Sequence, residues 1–389
     1  MLPSSSRPTR RAVLAACGAA ALAGCSDNLT TRASRPPVEC GPGSYAWPMH
    51  GADPARTSSL SDRALPPADA TARRFSRTGS GAGGGSVDAS PVVADGTAYV
   101  AGDVRIEARD AATGERVWET DPGDGVSTSP ALACGALYVS TSNKTLALDP
   151  ADGTALWRGD AGAGGGVSAS PVLSDDTVYV AGSVVTALDA ETGTQRWQAS
   201  TEHSPQGVAV GDRVYVGAAS NGSGEVAALT RHGETWWRTT APGQVYTAPA
   251  VADGTVYAVS RTGTATALDG SDGSVLWQAD VEPGVSDLLA VADGRVVVGA
   301  GNGSRTVTLD AETGDRLWTA DTGVGHAAPL VVGDRVLAVG ANTGIHLLDA
   351  ATGERLVRWS AGNVGSQPVP AARRLFYRGW DVSEVFVVG

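Results

Sequence analysis

The amino-acid sequence predicts an all-β protein, an eight-bladed β-propeller of four-stranded antiparallel blades. Three observations support this prediction: a repeat of about forty residues, a tryptophan at a constant place in the repeat, and a composition suited to short strands. The 389 residues include 51 Gly but only 3 Phe and 2 Met, so Ala, Val and Leu supply most apolar side chains. Such a composition favours short strands joined by tight turns over helical bundles.

The N-terminal residues have the pattern of an export signal. Arg10 and Arg11 directly precede an apolar run that ends in Leu22-Ala23-Gly24-Cys25, and this run is shorter than the roughly 20 residues that span a bilayer. The paired arginines resemble a twin-arginine export signal, and the small residues before Cys25 resemble a lipoprotein cleavage site. We therefore expect residues 1–24 to be a signal peptide and Cys25 to carry a lipid. An uncleaved anchor is the alternative.

The segment after Cys25 predicts a flexible membrane tether over residues 25–44, because it is rich in proline and polar residues and has no apolar period. Residues 45–389 are expected to form a single propeller domain. The tether would hold this domain at the outer face of the cell membrane, outside the cytoplasm.

Cysteine usage indicates a disulfide candidate but no metal site. Cys40 and Cys134 remain after the expected cleavage, and in an oxidising compartment they are candidates for a bond that ties the tether to the propeller. The cysteines form no C-x-x-C pair or other metal-ligand spacing, so no metal is expected.

The charge of the chain excludes nucleic acid as an expected partner. Its formal net charge is −12, and Lys144 is the single lysine among 29 basic residues. An acidic surface repels phosphate groups and keeps a protein soluble where salt screens charge strongly. Lysine depletion with excess aspartate predicts a salt-adapted, haloarchaeal source, and a GC-rich genome is the alternative explanation.

The repeat contains a turn that ends in glycine and a tryptophan four residues later. Glycine permits positive φ in the turn, and an indole ring has a large apolar face to bury, so we predict structural roles with each ring between neighbouring blades. The tryptophans lie 39 to 41 residues apart, in the pairs Gly114 and Trp118, Gly153 and Trp157, Gly193 and Trp197, Gly233 and Trp237, Gly273 and Trp277, and Gly314 and Trp318.

Eight copies of the strand that opens each repeat are present, at Pro91, Pro130, Pro171, Gly207, Pro249, Leu288, Pro329 and Pro368. The last copy reaches Gly389 before any outermost strand. We predict that the segment around Phe75, Arg73 to Arg77, supplies this strand and closes the ring, which removes an exposed sheet edge. Seven blades are the alternative.

Two copies depart from the pattern. In the fourth, Thr230 replaces the aspartate of the turn. In the seventh, Val357 takes the tryptophan place and Trp359 follows two residues later. We expect these blades to be irregular.

The motif Ala-Leu-Asp-Ala-x-Thr-Gly-x-x-x-Trp resembles the pyrroloquinoline-quinone-type, or tryptophan-docking, propeller repeat over about residues 75–389. With its length and anchor, the chain is similar to the BamB-like lipoproteins. Quinoprotein dehydrogenases share the repeat, but that family uses adjacent cysteines, a calcium site and a catalytic aspartate. The sequence has no Cys-Cys pair. The resemblance therefore implies a binding scaffold with no catalytic residue and no cofactor, including no quinone.

Residues just before the innermost strands are expected to rim the central opening, and few of them suit a quinone or a metal. His203 and His326 are the candidate ligands, with solvated or hydrogen-bonded histidine as the alternative. The full set is Ser86, Asp88, Ser127, Ser168, His203, Gln206, Tyr246, Asp287, His326 and Gln367.

These observations predict a monomeric, non-enzymatic surface lipoprotein that binds other exported or envelope proteins. A propeller that binds a small molecule or sugar is the first alternative, and a quinone-dependent dehydrogenase is the second. An archaeal cell has no outer membrane, so for such a source only the binding character of the BamB-like proteins would apply.

Overall fold

Eight antiparallel sheets of four strands, each a blade, form a ring. The computed structural model describes residues 49–53, 55–60, 64–77, 89–102, 104–126, 128–160, 169–282, 289–299, 304–323, 325, 327–340, 342–362, 364–379 and 384–389. Within these ranges every regular element is a strand, and the sheets follow one another in chain order. The predicted all-β, eight-bladed propeller is confirmed, and the seven-bladed alternative is wrong.

Each blade runs from an innermost strand at the channel to an outermost strand at the rim. The innermost strands are Val92–Ala94, Ala131–Ala133, Val172–Ser174, Ser204–Val210, Ala250–Ala252, Leu289–Ala292, Leu330–Val332 and Val369–Ala371. The second strands are Thr97–Gly102, Ala136–Ser140, Thr177–Ala181, Val214–Ser220, Thr255–Val259, Arg295–Gly299, Arg335–Gly340 and Arg374–Arg378.

The third and outermost strands continue each blade away from the channel. The third strands are Arg105–Asp110, Lys144–Leu148, Val185–Asp189, Ser223–Leu229, Thr264–Asp269, Arg305–Asp310, Gly344–Asp349 and Glu384–Val388. The outermost strands are Arg116–Thr120, Ala155–Asp160, Gln195–Ala199, Thr235–Ala241, Val275–Asp280, Arg316–Asp321, Arg355–Trp359 and, for blade 8, Ala72–Arg77.

The ring closes as the sequence predicts. The N-terminal strand Ala72–Arg77 pairs antiparallel with the C-terminal strand Glu384–Val388, and the innermost strands of blades 8 and 1 are in contact. A further strand that the sequence did not indicate, Ser59–Leu60, pairs in parallel with the innermost strand of blade 7.

At six of the interfaces between neighbouring blades that the structure describes, one indole ring docks on the next blade. In blade 4, the Trp237 Nε1 donates to the Gly270 carbonyl of blade 5 at 3.0 Å, and the ring lies against Gly273, where a Cβ atom would be 2.6 Å away. The apolar core lies between the blades, because Trp237 and Tyr215 pack in one cluster with Val251 of blade 5.

The same docking recurs at the other five interfaces that have the tryptophan. Each turn glycine has positive φ, and an added Cβ atom would lie 2.5 to 2.7 Å from the docked ring. The tryptophan of each blade docks on the glycine of the next, in the pairs Trp118 with Gly153, Trp157 with Gly193, Trp197 with Gly233, Trp277 with Gly314 and Trp318 with Gly353.

The two remaining interfaces flank blade 8, where the chain closes. Phe75 takes the docking place against Gly114 of blade 1 and meets Phe376 of its own blade edge to face, with ring centroids 5.2 Å apart. Blade 8 has no continuous turn between its third and outermost strands, so a ring from blade 7 has no glycine to dock on. The displaced Trp359 is instead fully buried and donates to the Pro67 carbonyl at 2.9 Å.

Two adjacent tryptophans of one strand, one docked and one not, allow the contribution of docking to stability to be distinguished from that of an aromatic ring as such. Trp237 is 8% exposed and docked, whereas its neighbour Trp236 is 55% exposed. We expect Trp237→Ala to lower the free energy of unfolding by about 3–5 kcal/mol, as large-to-small core substitutions do, and Trp236→Ala to lower it by less than about 1 kcal/mol. Denaturant unfolding followed by circular dichroism measures both, and equal losses would contradict the docking role.

Candidate functional site

The central channel is occupied by a segment that precedes the first blade, residues 49–53 and 55–60, here called the plug. Three valines at the same place of consecutive innermost strands donate their backbone N–H groups to it. Val251 of blade 5 bonds to the Ala55 carbonyl, Val291 of blade 6 to Thr57, and Val331 of blade 7 to Ser58, at 2.8 to 3.0 Å. On the other side of the channel, Met49 packs against the apolar cluster of blades 2 to 4.

Arg56 connects the plug to two further blades. Its Nε atom donates to the Val208 carbonyl of blade 4 at 2.8 Å, and an Nη atom donates to the Ser170 carbonyl of blade 3 at 2.8 Å. The residue is only 7% exposed. Burial lowers the pKa of Arg56 to about 10, and the charge of Asp53 acts in the opposite direction, so the guanidinium remains charged at neutral pH.

The plug is tightly coiled rather than extended. Gly51 and Ala52, as well as Arg56 and Ser58, have positive φ, a conformation that costs non-glycine residues free energy and persists only where surrounding contacts impose it. Asp53 caps the coil, because its carboxylate accepts hydrogen bonds from the backbone N–H and the hydroxyl of Thr57.

The residues that precede the innermost strands continue this network around the other half of the channel. The Ser90 N–H donates to the Ser129 hydroxyl at 2.7 Å, and the Ser129 N–H donates to the Ser170 hydroxyl at 2.9 Å. The Ser90 hydroxyl donates to the Gln367 carbonyl, and the Gln367 amide donates to the Pro329 carbonyl. The set Ser90, Ser129, Ser170 and Gln367 is here called the belt. Together the plug and the belt link all eight blades in one circle of hydrogen bonds.

Four of the predicted rim residues lie in the described ranges. Gln367 is buried in the belt. His203 shares a hydrogen bond between its Nδ1 and the Ser220 hydroxyl at 2.9 Å, Gln206 donates to the Ser204 carbonyl, and the Tyr246 hydroxyl accepts from Gln244. The residues outside the described ranges are Ser86, Asp88, Ser127, Ser168, Asp287 and His326.

The predicted export and anchoring residues, Arg10, Arg11, Cys25 and Cys40, also lie outside the described ranges. Cys134, in the turn after the innermost strand of blade 2, is disulfide-bonded. Its pairing with Cys40 stays a prediction.

The described ranges contain no group of three or more His, Cys, Asp or Glu side chains placed to hold a metal ion. No helix within these ranges is long and apolar enough to cross a bilayer.

The rim of the ring exposes apolar side chains at one repeated place, directly before the position that the tryptophan has in most outermost strands. Six blades carry such a side chain, exposed by 36% to 58%: Val117, Leu156, Trp236, Leu276, Leu317 and Leu356. Blades 3 and 8 instead have arginines there, Arg196 and Arg74.

The tryptophan-docked ring has a counterpart among known families. The family model described as outer membrane protein assembly factor BamB matches residues 58–209 and 181–385, which together cover most of the chain. The chain belongs to this BamB-like repeat family.

Curated relatives of the BamB-like chain match over shorter stretches. BamB of Yersinia pestis is 34% identical over 139 residues, 31% of this chain and 35% of that protein. The serine/threonine-protein kinase AfsK of Streptomyces griseus is 34% identical over 148 residues, 34% of this chain and 18% of that protein. The chain therefore matches no more than about a third of the length of either relative.

Solved structures share the fold at low sequence identity. BamB from Moraxella catarrhalis has a TM-score of 0.64 at 19% identity, covering 82% of this chain and 97% of that one. The quinohemoprotein alcohol dehydrogenase of Comamonas testosteroni has a TM-score of 0.68 at 18% identity, covering 88% and 80%. Because BamB and an alcohol dehydrogenase both match, each at less than 20% identity, the likeness concerns the propeller fold alone.

Loss of the Arg56 side chain should destabilise the protein and weaken the hydrogen bonds between the plug and the innermost strands. Arg56→Met leaves the Ser170 and Val208 carbonyls without their donor, which costs about 2–4 kcal/mol of unfolding free energy. The amides of Val251, Val291 and Val331 should then exchange with deuterium faster, and more so than amides of the outer strands. The matched control is Arg74→Met at an exposed arginine of blade 8. Unchanged exchange of the three valines would contradict the role of Arg56.

The buried His50 should make stability depend on pH. Burial, with a further effect of Arg56, lowers the pKa of His50 from 6.5 to about 3. Between these values the unfolded chain binds a proton that the folded chain does not, so stability falls on acidification, by about 1.4 kcal/mol per pH unit. Urea unfolding at pH 4, 5 and 6 should therefore show a shallower slope for His50→Gln than for the native chain. The control His232→Gln, at an exposed histidine, should keep the native slope.

Proposed function

We propose that the protein is an exported lipoprotein, anchored through Cys25, whose propeller is a non-enzymatic scaffold for other exported or envelope proteins. Family membership supports this role, because relatives in the family are named as outer membrane protein assembly factors. The export signal and lipid attachment are inferred from the residues around Arg10, Arg11 and Cys25, and the monomeric state is likewise part of the proposal.

The observation that carries the proposal is the apolar set on the outermost strands. Among the described residues, each outermost strand pairs on one side only, so its other edge offers N–H and C=O groups to an added strand. An extended segment of a partner protein that paired there would cover the exposed apolar side chain of that blade. We take such a segment, from another exported protein, as the partner.

Blades 4 and 5 form the strongest candidate for the contact. The outermost strand of blade 4, Thr235–Ala241, has seven residues. It carries Trp236, whose ring lies under the Arg213 guanidinium at 4.1 Å and whose Nε1 donates to the Ser271 carbonyl of blade 5. Leu276, on the next blade, is 52% exposed. Tryptophan and arginine are the residues that most often dominate binding energy at protein interfaces.

The quinone that some propellers of this repeat type hold does not fit the described channel. A cofactor at the inner edges of blades 3 to 7 would have to replace the plug, with its hydrogen bonds to Val251, Val291 and Val331 and the Arg56 bonds to Ser170 and Val208. A quinone-dependent dehydrogenase therefore remains the second alternative, after a propeller that binds a small molecule or sugar.

A photo-crosslinker placed on the rim tests the scaffold role in the native membrane. We expect one at position 276 to capture the same exported protein in repeated purifications, and the matched position 117, exposed on blade 1, to capture none. Trp236→Ser should abolish the product. Mass spectrometry of the same preparation should find a lipidated N-terminal Cys25. Equal capture at both positions would contradict the proposed surface, and a stoichiometric quinone would favour the dehydrogenase.

A further inference from the structure

Most asparagines of the chain stand in one short pattern. There are six asparagines, and four of them, Asn28, Asn143, Asn221 and Asn302, begin the pattern Asn-x-Ser/Thr. Serine and threonine together make up only about a sixth of the residues, so chance would place about one of the six asparagines in this pattern. Because the pattern is the acceptor for N-linked glycans on surface loops of exported proteins, its excess indicates a modification site.

The pattern recurs at one place in the propeller. Asn143 and Asn221 lie in the hairpins between the second and third strands of blades 2 and 4, and both are exposed. Asn28 and Asn302 lie outside the described ranges, although in sequence Asn302 falls between the corresponding strands of blade 6. Because the strands of a blade are antiparallel, these hairpins belong to the same face of the ring.

The hairpin of blade 4 does not require an asparagine. Ser220 and Ser223 pair across it, so Asn221 and Gly222 are its two central residues. Of these two, only Gly222 has positive φ, at 85°. This is the pattern of a type II turn, which needs glycine at its second central position but not asparagine at its first. Among the described residues, the Asn221 side chain has no hydrogen-bond partner, so the turn does not explain why asparagine is present.

The hairpin of blade 2 is likewise stabilised by a residue other than its asparagine. The Thr141 hydroxyl oxygen accepts hydrogen bonds from the backbone N–H groups of Asn143 and Lys144, at 3.4 and 3.0 Å. The Asn143 side chain itself bonds to no residue in the part of the chain that the structure describes. Each of the two hairpins therefore presents an exposed amide that its own turn does not use.

The hydroxyl groups that complete the two patterns differ in their access to solvent. Ser223 is half-buried, and its hydroxyl shares a hydrogen bond with that of the exposed Ser220 at 3.3 Å. Thr145 is fully buried, and its hydroxyl shares a hydrogen bond with that of the buried Ser140 at 3.2 Å. The predicted twin-arginine signal is of the type that exports folded proteins, so the pattern has to be recognised on the finished hairpin. Asn221 is then the better acceptor.

Blade 7 provides an internal control. Asn342 lies in the corresponding hairpin and is exposed, but Thr343 and Gly344 follow it, so no hydroxyl group stands two residues later. An enzyme that recognises the pattern leaves Asn342 unmodified. A reaction that needs only an exposed asparagine would modify it as well.

We propose that Asn221 and, at lower occupancy, Asn143 carry N-linked oligosaccharides. In the transfer, a bond forms between the side-chain amide nitrogen and C1 of the first sugar, while the bond from that carbon to the phosphate of a lipid carrier breaks. The nitrogen gives a proton to a base of the transferase, and the lipid phosphate leaves with the electron pair. The sugar comes from a lipid-phosphate-linked oligosaccharide outside the cytoplasm, so this inference rests on the export part of the proposed function.

Peptide mass spectrometry of protein purified from its native membrane tests the inference. We expect a mass increase equal to a chain of sugar units at Asn221, a smaller modified fraction at Asn143 and none at Asn342. The much smaller mass change of deamidation, to which Asn-Gly sequences are prone, would overturn the proposal if it were the only change at Asn221. Equal modification of Asn342 would also overturn it, because the pattern would then not be recognised.

Two substitutions of Ser223 show whether its hydroxyl group is recognised. Ser223→Ala leaves Asn221 and Gly222 in place but removes the hydroxyl group, so the sugar at Asn221 should be lost. The conservative Ser223→Thr should keep it. The modified fraction of Asn143 should stay at its native level in both variants, which shows that the protein is still exported and folded. A native level of sugar at Asn221 in Ser223→Ala would contradict the proposal.

The lipid on Cys25, measured in the same preparation, separates this inference from the proposed export. An unmodified Asn221 on protein with a lipidated Cys25 would overturn the glycosylation alone. Absence of both the lipid and the sugar would overturn the glycosylation and the export together.

Discussion

The contact between blades depends on an aromatic ring that lies flat against a glycine, and a closed ring has to satisfy this contact all the way round. At Gly193 a Cβ atom would be 2.5 Å from the Trp157 ring, so the two residue types require each other. The contact also has a direction, because each blade gives its ring to the following blade. A propeller built this way has no free interface, except where the two ends of the chain meet.

The closure of the ring at blade 8, where the two ends of the chain meet, explains the irregular end of the repeat. Blade 8 takes its outermost strand from the N-terminal side, so the turn on which blade 7 would dock does not exist as one piece of chain. Val357 occupies the tryptophan place, and Trp359 is used instead to bind Pro67 of the incoming segment. A weakened motif at this point therefore follows from closure, and a fully regular seventh copy would present an indole ring with no glycine to receive it.

The fold could be predicted because its residues recur periodically, whereas the plug in the channel could not be predicted because its residues do not recur. The number of blades, the closing strand and the six tryptophan places all follow from residues that recur every forty positions. The plug occurs once and has positive φ at Arg56 and Ser58. Arg56 bonds to residues 114 and 152 positions away, so no local sequence pattern predicts the plug. Gln367, one of the predicted rim residues, hydrogen-bonds to Ser90 and to the Pro329 carbonyl. The sequence does not single out Ser90, Ser129 and Ser170, because a serine before a proline is also typical of a loop.

The two elements that complete the ring, the plug and the strand Ala72–Arg77, are made early in synthesis, but their binding partners extend to residues 384–388. No shorter nascent chain can contain the closed circle, and contacts of such long range are slow to form. Until residues 384–388 have been made, the strand Ala72–Arg77 lacks its partner strand, and its edge is open to other chains. Closure of the ring therefore has to wait for residues 384–388, and any factor that shields the strand Ala72–Arg77 until then would act on the step that decides between folding and aggregation.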